Sequence, residues 1–375
     1  MKNIIDYVTE EIAGFDEKPF CDVDSLVLSQ LSYLKLGCIA AGAEHPEALP
    51  EIHNLHASEL YPALLKGVRA AGLNRRLICE LAANPRFRNI RIFNCAESFS
   101  PDDEKQFAAV TFILPDGSLY LAYRGTDSTM IGWKEDFNMA FKCPVPSQVE
   151  GAEYLRRTAE AIPGKIRVGG HSKGGNVAVY AAMSAQPKIK ERLTAVYSHD
   201  GPGFLEETIQ SENFRGIEPL IHKTLPQSSL IGMLLEHHEN YSIVESDGFW
   251  IAQHDPFLWS VEKGEFVLCE QISGGARYFN DTLNSWVKAQ TDDKRELFVD
   301  TLFQVLNSTS AETTGELSDG FVRNLPTVLG AVKNIDADTR RAVSHILREL
   351  FSAAFRNLVP SRREKEADAP TSPDA

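Results

Sequence analysis

Residues 165–180 constrain this chain more than any other stretch. A short apolar run from Ile166 to Val168 leads into Gly170-His171-Ser172-Lys173-Gly174, and an apolar segment follows from Asn176 to Tyr180. Strand, Gly-x-Ser-x-Gly turn and helix, in that order, make a nucleophile elbow with Ser172 at the tip of the turn. The bare five-residue pattern arises by chance about once in ten chains of this length at ordinary Gly and Ser frequencies. The flanking elements therefore carry the inference.

The surrounding pattern agrees with such an elbow. Val23, Leu26, Val27, Leu31 and Leu34 share one helical face, and residues 57–84 hold two further helical stretches broken near Gly72. From Asn89 the reading changes to strands at 90–93, 107–113 and 119–123, with Pro115-Asp116-Gly117-Ser118 as the turn of a hairpin between the last two. Beyond Tyr123 helices (147–162, 176–185) alternate with strands (165–169, 193–198, 220–224, 241–244), which argues for crossovers and a mostly parallel sheet. A short helix is expected near 229–237. The resulting division is a helical N-terminal region or cap at 1–88, an α/β core at 89–280, a helical region at 281–359 and a charged, Pro-rich tail at 360–375. Asp336 can cap a last amphipathic helix from Val343 to Leu358, whose apolar stripe asks for cover by its own chain or by a second copy.

Composition narrows the partners. With 375 residues and 43% apolar side chains the chain can bury a large core, and its formal charge of −14 repels nucleic acid and anionic membrane surfaces. A small molecule, a protein or an uncharged lipid is left as partner. Cys21, Cys38, Cys79, Cys95, Cys143 and Cys269 show no paired spacing, so neither a metal site nor a disulfide framework is expected, and no cofactor. The first residues lack an apolar leader and no run of 18 apolar residues occurs. The expectation is a soluble, cytoplasmic protein with no transmembrane segment.

A serine hydroxyl needs a base to take its proton and a third group to orient that base. Gly170 and Gly174 give the elbow its room, and the N–H of Lys173 at the helix start would face a developing oxyanion. A second donor would come from the loop after an earlier strand, where Tyr123-Arg124-Gly125-Thr126-Asp127 precedes Trp133-Lys134-Glu135-Asp136-Phe137. Here the chain resembles the class 3 lipase family and its bacterial relatives over roughly residues 105–260. The resemblance implies an α/β-hydrolase fold, with a mostly parallel central sheet flanked by helices and helical N- and C-terminal additions. It also implies Thr126 as the second oxyanion-hole residue beside Lys173.

Hydrolases of this fold place serine, acid and histidine in that order. His254, in a loop after the strand at 241–244, is the expected base. Asp200 is the expected acid, because it ends a strand at the sheet edge where reactive groups gather and Gly201-Pro202-Gly203 then turns the chain. Class 3 lipases usually carry their acid one strand later, where this chain has Leu225-Pro226-Gln227-Ser228-Ser229-Leu230 and no carboxylate; Asp247 is the alternative. Lys173 is expected to pair with a carboxylate such as Asp136, and Arg124 with Asp136. Trp133, Trp250 and Trp259 are core aromatics or pocket walls. Residues 41–72 and 230–235 are candidate covers.

The function these residues imply is hydrolysis of carboxylic esters, of lipid-like or other acyl groups, through an acyl-enzyme. An acyltransferase would use the same residues, and a non-catalytic interaction protein would keep only the fold.

Overall fold

The structure is a computed structural model that describes residues 1–37, 49–57, 59, 61–126, 135–136, 138–139, 142–236, 238–248 and 250–307, with 337, 340 and 341. Trp133, residues 41–48 and the expected helix at 343–358 lie outside the described residues, as does the tail. The chain forms two compact units, Met1–Glu296 and Leu297–Ala375. The first contains the sheet.

Eight strands lie in the order β1 (Arg91–Ser100), β2 (Lys105–Ile113), β3 (Leu119–Tyr123), β4 (Ile166–His171), β5 (Leu193–His199), β6 (Ile221–Pro226), β7 (Tyr241–Val244) and β10 (Leu268–Cys269). Strands β3 to β7 are parallel, while β1, β2 and β10 run antiparallel to their neighbours. A two-stranded ribbon of β8 (Val261–Glu262) and β9 (Glu265–Phe266) stands apart. The hairpin between β2 and β3 forms at Pro115–Ser118, where the Asp116 carboxylate accepts from the Ser118 N–H at 2.9 Å.

Both faces of the sheet are covered, as parallel strands require. Alternate residues of one strand enter different cores. Tyr120 and Ala122 of β3 join α1 (Ile4–Glu10), α2 (Asp22–Leu31) and α3 (Ala71–Ala83), with Trp259. Leu119, Leu121 and Tyr123 join α4 (Pro146–Ala161) and α5 (Lys173–Ser184). The N-terminal helices are thus one of the two layers on the sheet. Within that layer a fully buried ion pair ties α2 to the segment after α3: Arg86 Nε and Nη2 reach the two oxygens of Asp24 at 2.9 and 2.6 Å.

Two expectations are corrected. The helix expected from 176 begins at Lys173, directly after Ser172, because Gly174 and Gly175 fit where helix and strand pass too closely for a side chain. The helix expected near 229–237 does not form over the described residues 229–236, which are a loop. Its backbone bonds elsewhere: the Gly232 N–H goes to the Asp200 carboxylate, while Asn280 and Asn284 of α6 (Gly274–Lys288) take the Ser229 and Met233 carbonyls.

Candidate active site

The register of the parallel strands gathers the expected residues at one edge. Tyr123 stands opposite Gly170, and His171 opposite His199. The next residues along, Gly125, Ser172 and Asp200, therefore leave the sheet side by side. The Ser172 N–H bonds the His199 carbonyl at 2.9 Å, and the Asp200 N–H bonds the Thr224 carbonyl at 2.8 Å.

Ser172 sits at φ 59° and ψ −135°, a region that costs a non-glycine residue about 1–3 kcal/mol. The surroundings hold it there. A Cβ on Gly170 would stand 2.3 Å from the Gly174 carbonyl carbon, and one on Gly174 would stand 2.0 Å from the Tyr123 oxygen. Only glycine lets strand, turn and helix close up this far. Lys173 is the first residue of α5, where a backbone N–H has no partner within the helix and points toward the end of the strand.

His254 ends a 3₁₀ turn, Trp250–His254, after β7. Its Nδ1 lies 2.5 Å from Asp200 Oδ2. The other carboxylate oxygen accepts from Ser229 Oγ at 2.5 Å and from the Gly232 N–H at 3.1 Å, so fully buried Asp200 has a partner on each oxygen. Ser229 belongs to the segment where class 3 lipases carry an acid. Here that segment orients the carboxylate of the preceding strand. Asp247 is exposed, and Asp255 caps the next turn by accepting from the Phe257 N–H at 3.0 Å. The His254 ring lies 4.4 Å, centroid to centroid, from that of His171, the residue before Ser172.

The segment after β3 runs against the elbow. A Cβ on Gly125 would meet the His171 carbonyl oxygen at 2.5 Å and Ser172 Cβ at 2.9 Å, which puts the Gly125-Thr126 backbone beside the serine. The Thr126 hydroxyl donates to Asp136 Oδ2 at 2.7 Å, so the group it can offer an oxyanion is its N–H. Burial pushes the Asp136 carboxyl up to about 6, against the pull of Lys173 and the Thr126 hydroxyl.

Two expected pairs are rearranged. Lys173 Nζ bonds Glu135 Oε2 and the Gln106 carbonyl, both at 2.9 Å, with Asp136 only at 3.9 Å. Glu135 also accepts from the N–H groups of Gln106 and Ser147, and it is the carboxylate fully buried on this side, so it draws the ammonium. Arg124 turns to Glu97 on β1 at 2.9 Å rather than to Asp136. Trp259 is wholly buried with its Nε1–H on the Gln253 carbonyl at 2.8 Å, a core aromatic behind the His254 turn.

The remaining histidines act in other ways. His199 is buried, bonded to Thr224 Oγ1 at 2.7 Å and Ser25 Oγ at 2.8 Å, and burial lowers it to about 4. His222 lies in β6 and faces Asp22 at 3.1 Å, which raises it. His171 is buried too, and burial with nearby His254 lowers it well below the usual range. Its place in the motif was a sequence signal for proximity to Ser172. Glu135 and Ser229 lie in segments that the sequence marks, but no local pattern marks those two residues within them.

Residues 81–304, more than half of the chain, match the family model described as Mbeg1-like. No curated protein matches the chain. Among solved structures it is similar to the native complex of Rhizomucor miehei lipase with its propeptide, at 14% identity and a TM-score of 0.37, over 66% of this chain and 70% of that one. It is likewise similar to M37 lipase, at 14% identity and a TM-score of 0.37, over 70% of this chain and 80% of that one.

Proposed function

The chain belongs to the Mbeg1-like family, and on that premise we propose that it is a serine hydrolase that cleaves carboxylic esters, of lipid-like or other acyl groups, through an acyl-enzyme. One observation carries the reading: the 2.5 Å contact of His254 Nδ1 with Asp200, beside a serine at φ 59° between strand and helix.

The chemistry follows from those positions. The Nδ1–H of His254 donates to Asp200, which leaves Nε2 with its lone pair for the Ser172 proton. Ser172 Oγ adds to the ester carbonyl, and the N–H groups of Lys173 and Thr126 take the negative charge that develops on the carbonyl oxygen. The imidazolium then protonates the departing alcohol. Water, deprotonated by His254, releases the acid and restores Ser172. The oxyanion donors are backbone groups already held by β3 and α5, so little reorganisation is needed during reaction.

Labelling by a fluorophosphonate probe and turnover of acyl esters of graded chain length test this. Wild-type protein labels and turns over at least one chain-length class, and Ser172→Ala does neither. Labelling that persists in Ser172→Ala, or wild-type protein inert to both, overturns the reading.

A further inference from the structure

Two side chains beside the elbow have no part in those steps. Tyr33 lies in the turn after α2, and its Oη is 3.0 Å from His171 Nδ1. The same hydroxyl lies 2.3 Å from where a Cβ on Gly125 would stand, a point also 2.9 Å from Ser172 Cβ. On the far side of the ring, His171 Nε2 is 2.8 Å from the backbone carbonyl of His254.

The direction of this chain is set by chemistry. A carbonyl oxygen only accepts, so His171 Nε2 carries a hydrogen. Burial keeps the ring neutral, which leaves the lone pair on Nδ1. The Tyr33 hydroxyl must therefore donate to it. Reversing the tautomer would leave the His254 carbonyl without its donor, while the Tyr33 hydroxyl would turn to accept from Nδ1–H.

We infer that Tyr33 and His171 are positioning residues for His254: the Tyr33 hydroxyl donates to His171 Nδ1 and holds the ring whose Nε2–H binds the His254 carbonyl. The proposal rests on the hydrolase reading above. His254 is carried on a loop, and its contact with Asp200 restrains only the ring. A base must be held in both height and orientation to reach its proton, and a bond to the backbone supplies the former. The N-terminal region thereby contributes to the site through Tyr33.

The test uses the full chain with Tyr33→Phe, His171→Ala, His171→Gln and the double variant Tyr33→Phe/His171→Ala. Thermal melts identify any variant that fails to fold, and Tyr33→Phe removes a single oxygen. The readouts are kcat and KM on a short-chain ester, the fluorophosphonate labelling rate and the far-downfield proton resonance of the His254 Nδ1–H. Misplacement of the base lowers kcat about tenfold in Tyr33→Phe and about a hundredfold in His171→Ala, with KM little changed. The Gln amide can donate to the His254 carbonyl, so His171→Gln recovers most of the loss. The double variant is no worse than His171→Ala, because the two residues act as one chain. Values of kcat within about twofold of wild type in Tyr33→Phe and His171→Ala, or losses that multiply in the double, overturn the relay. If wild-type protein neither labels nor turns over esters, the hydrolase reading falls and the resonance decides alone. It must weaken in Tyr33→Phe and His171→Ala and return in His171→Gln; an unchanged resonance overturns the relay.

Discussion

Asp200 and His254 stand 54 positions apart in the chain, and Asp200 Oδ2 lies 2.5 Å from His254 Nδ1. Asp200 takes a positive φ of 50° to aim its carboxylate there, and Ser229 with Gly232 holds the other oxygen. An acid presented from β5, one strand earlier than in class 3 lipases, thus reaches the histidine without a change in the order of residues along the chain. Asp200→Asn keeps the shape but upsets the tautomer of His254, and ester turnover falls by about 10³- to 10⁴-fold. Asp247→Asn leaves turnover at the wild-type level, since Asp247 is exposed. Steady-state kinetics on the two variants separate the candidates; the reverse pattern would assign the acid to Asp247.

In the proposed mechanism Lys173 acts through its backbone N–H, while its ammonium is buried at 1% exposure on Glu135. Lys173→Met leaves the Glu135 carboxylate buried without its counter-charge, at a cost of about 3–5 kcal/mol in urea unfolding. The double variant Lys173→Met/Glu135→Gln recovers part of that cost. Fluorophosphonate labelling per folded molecule changes less than about tenfold in the double variant. A larger loss at unchanged stability would place the ammonium in the chemistry.

Acid should unfold this protein by way of its buried histidines. His199 takes its proton near pH 6.5 when unfolded but only at about 4 when folded. Between those values the unfolded chain binds more protons, so stability is full above pH 6.5 and is lost as the pH falls toward 4. The cost from His199 at pH 5 is about 2 kcal/mol. His171, also lowered by burial, adds in the same direction. His222 opposes them, because Asp22 raises it, but it is half-exposed and its effect is smaller. Urea midpoints at pH 7 and pH 5 measure the slope, and His199→Gln flattens it.

The glycines of the elbow differ from an exposed glycine such as Gly72. A methyl on Gly174 would meet the Tyr123 backbone oxygen at 2.0 Å, whereas one on Gly72 would meet nothing within 4 Å. Gly174→Ala costs about 3 kcal/mol or more, since backbone cannot retreat as a side chain can. Gly72→Ala, in helix α3, is neutral or stabilises by up to about 1 kcal/mol. Thermal melts of the two variants would show a large drop for Gly174→Ala and no drop for Gly72→Ala.

Much of the fold was legible because it depends on local spacing. The hairpin at Pro115–Ser118, the parallel strands and the elbow each follow from a few consecutive residues, and each forms where expected. Over 229–237 the spacing of Leu230, Met233, Leu234 and Leu235 suits a helix that does not form. The backbone there is instead taken by Asp200, Asn280 and Asn284, which no local pattern announces. Strand β1 was read as four residues and runs for ten, since its later half is held by pairing with β2 rather than by its own apolar content.

By itself the sequence determined the turn that carries Ser172, the glycines that permit it and the order in which Arg124, Ser172, Asp200 and His254 follow one another. Those are properties of neighbouring residues, governed by backbone sterics. Tertiary structure alone decided that Asp200 rather than Asp247 meets His254, that Lys173 pairs with Glu135, and that Tyr33 joins His171 beside the serine. Such meetings depend on strand register and on the paths of loops between distant segments, where small changes in direction place one carboxylate in reach and leave another in solvent.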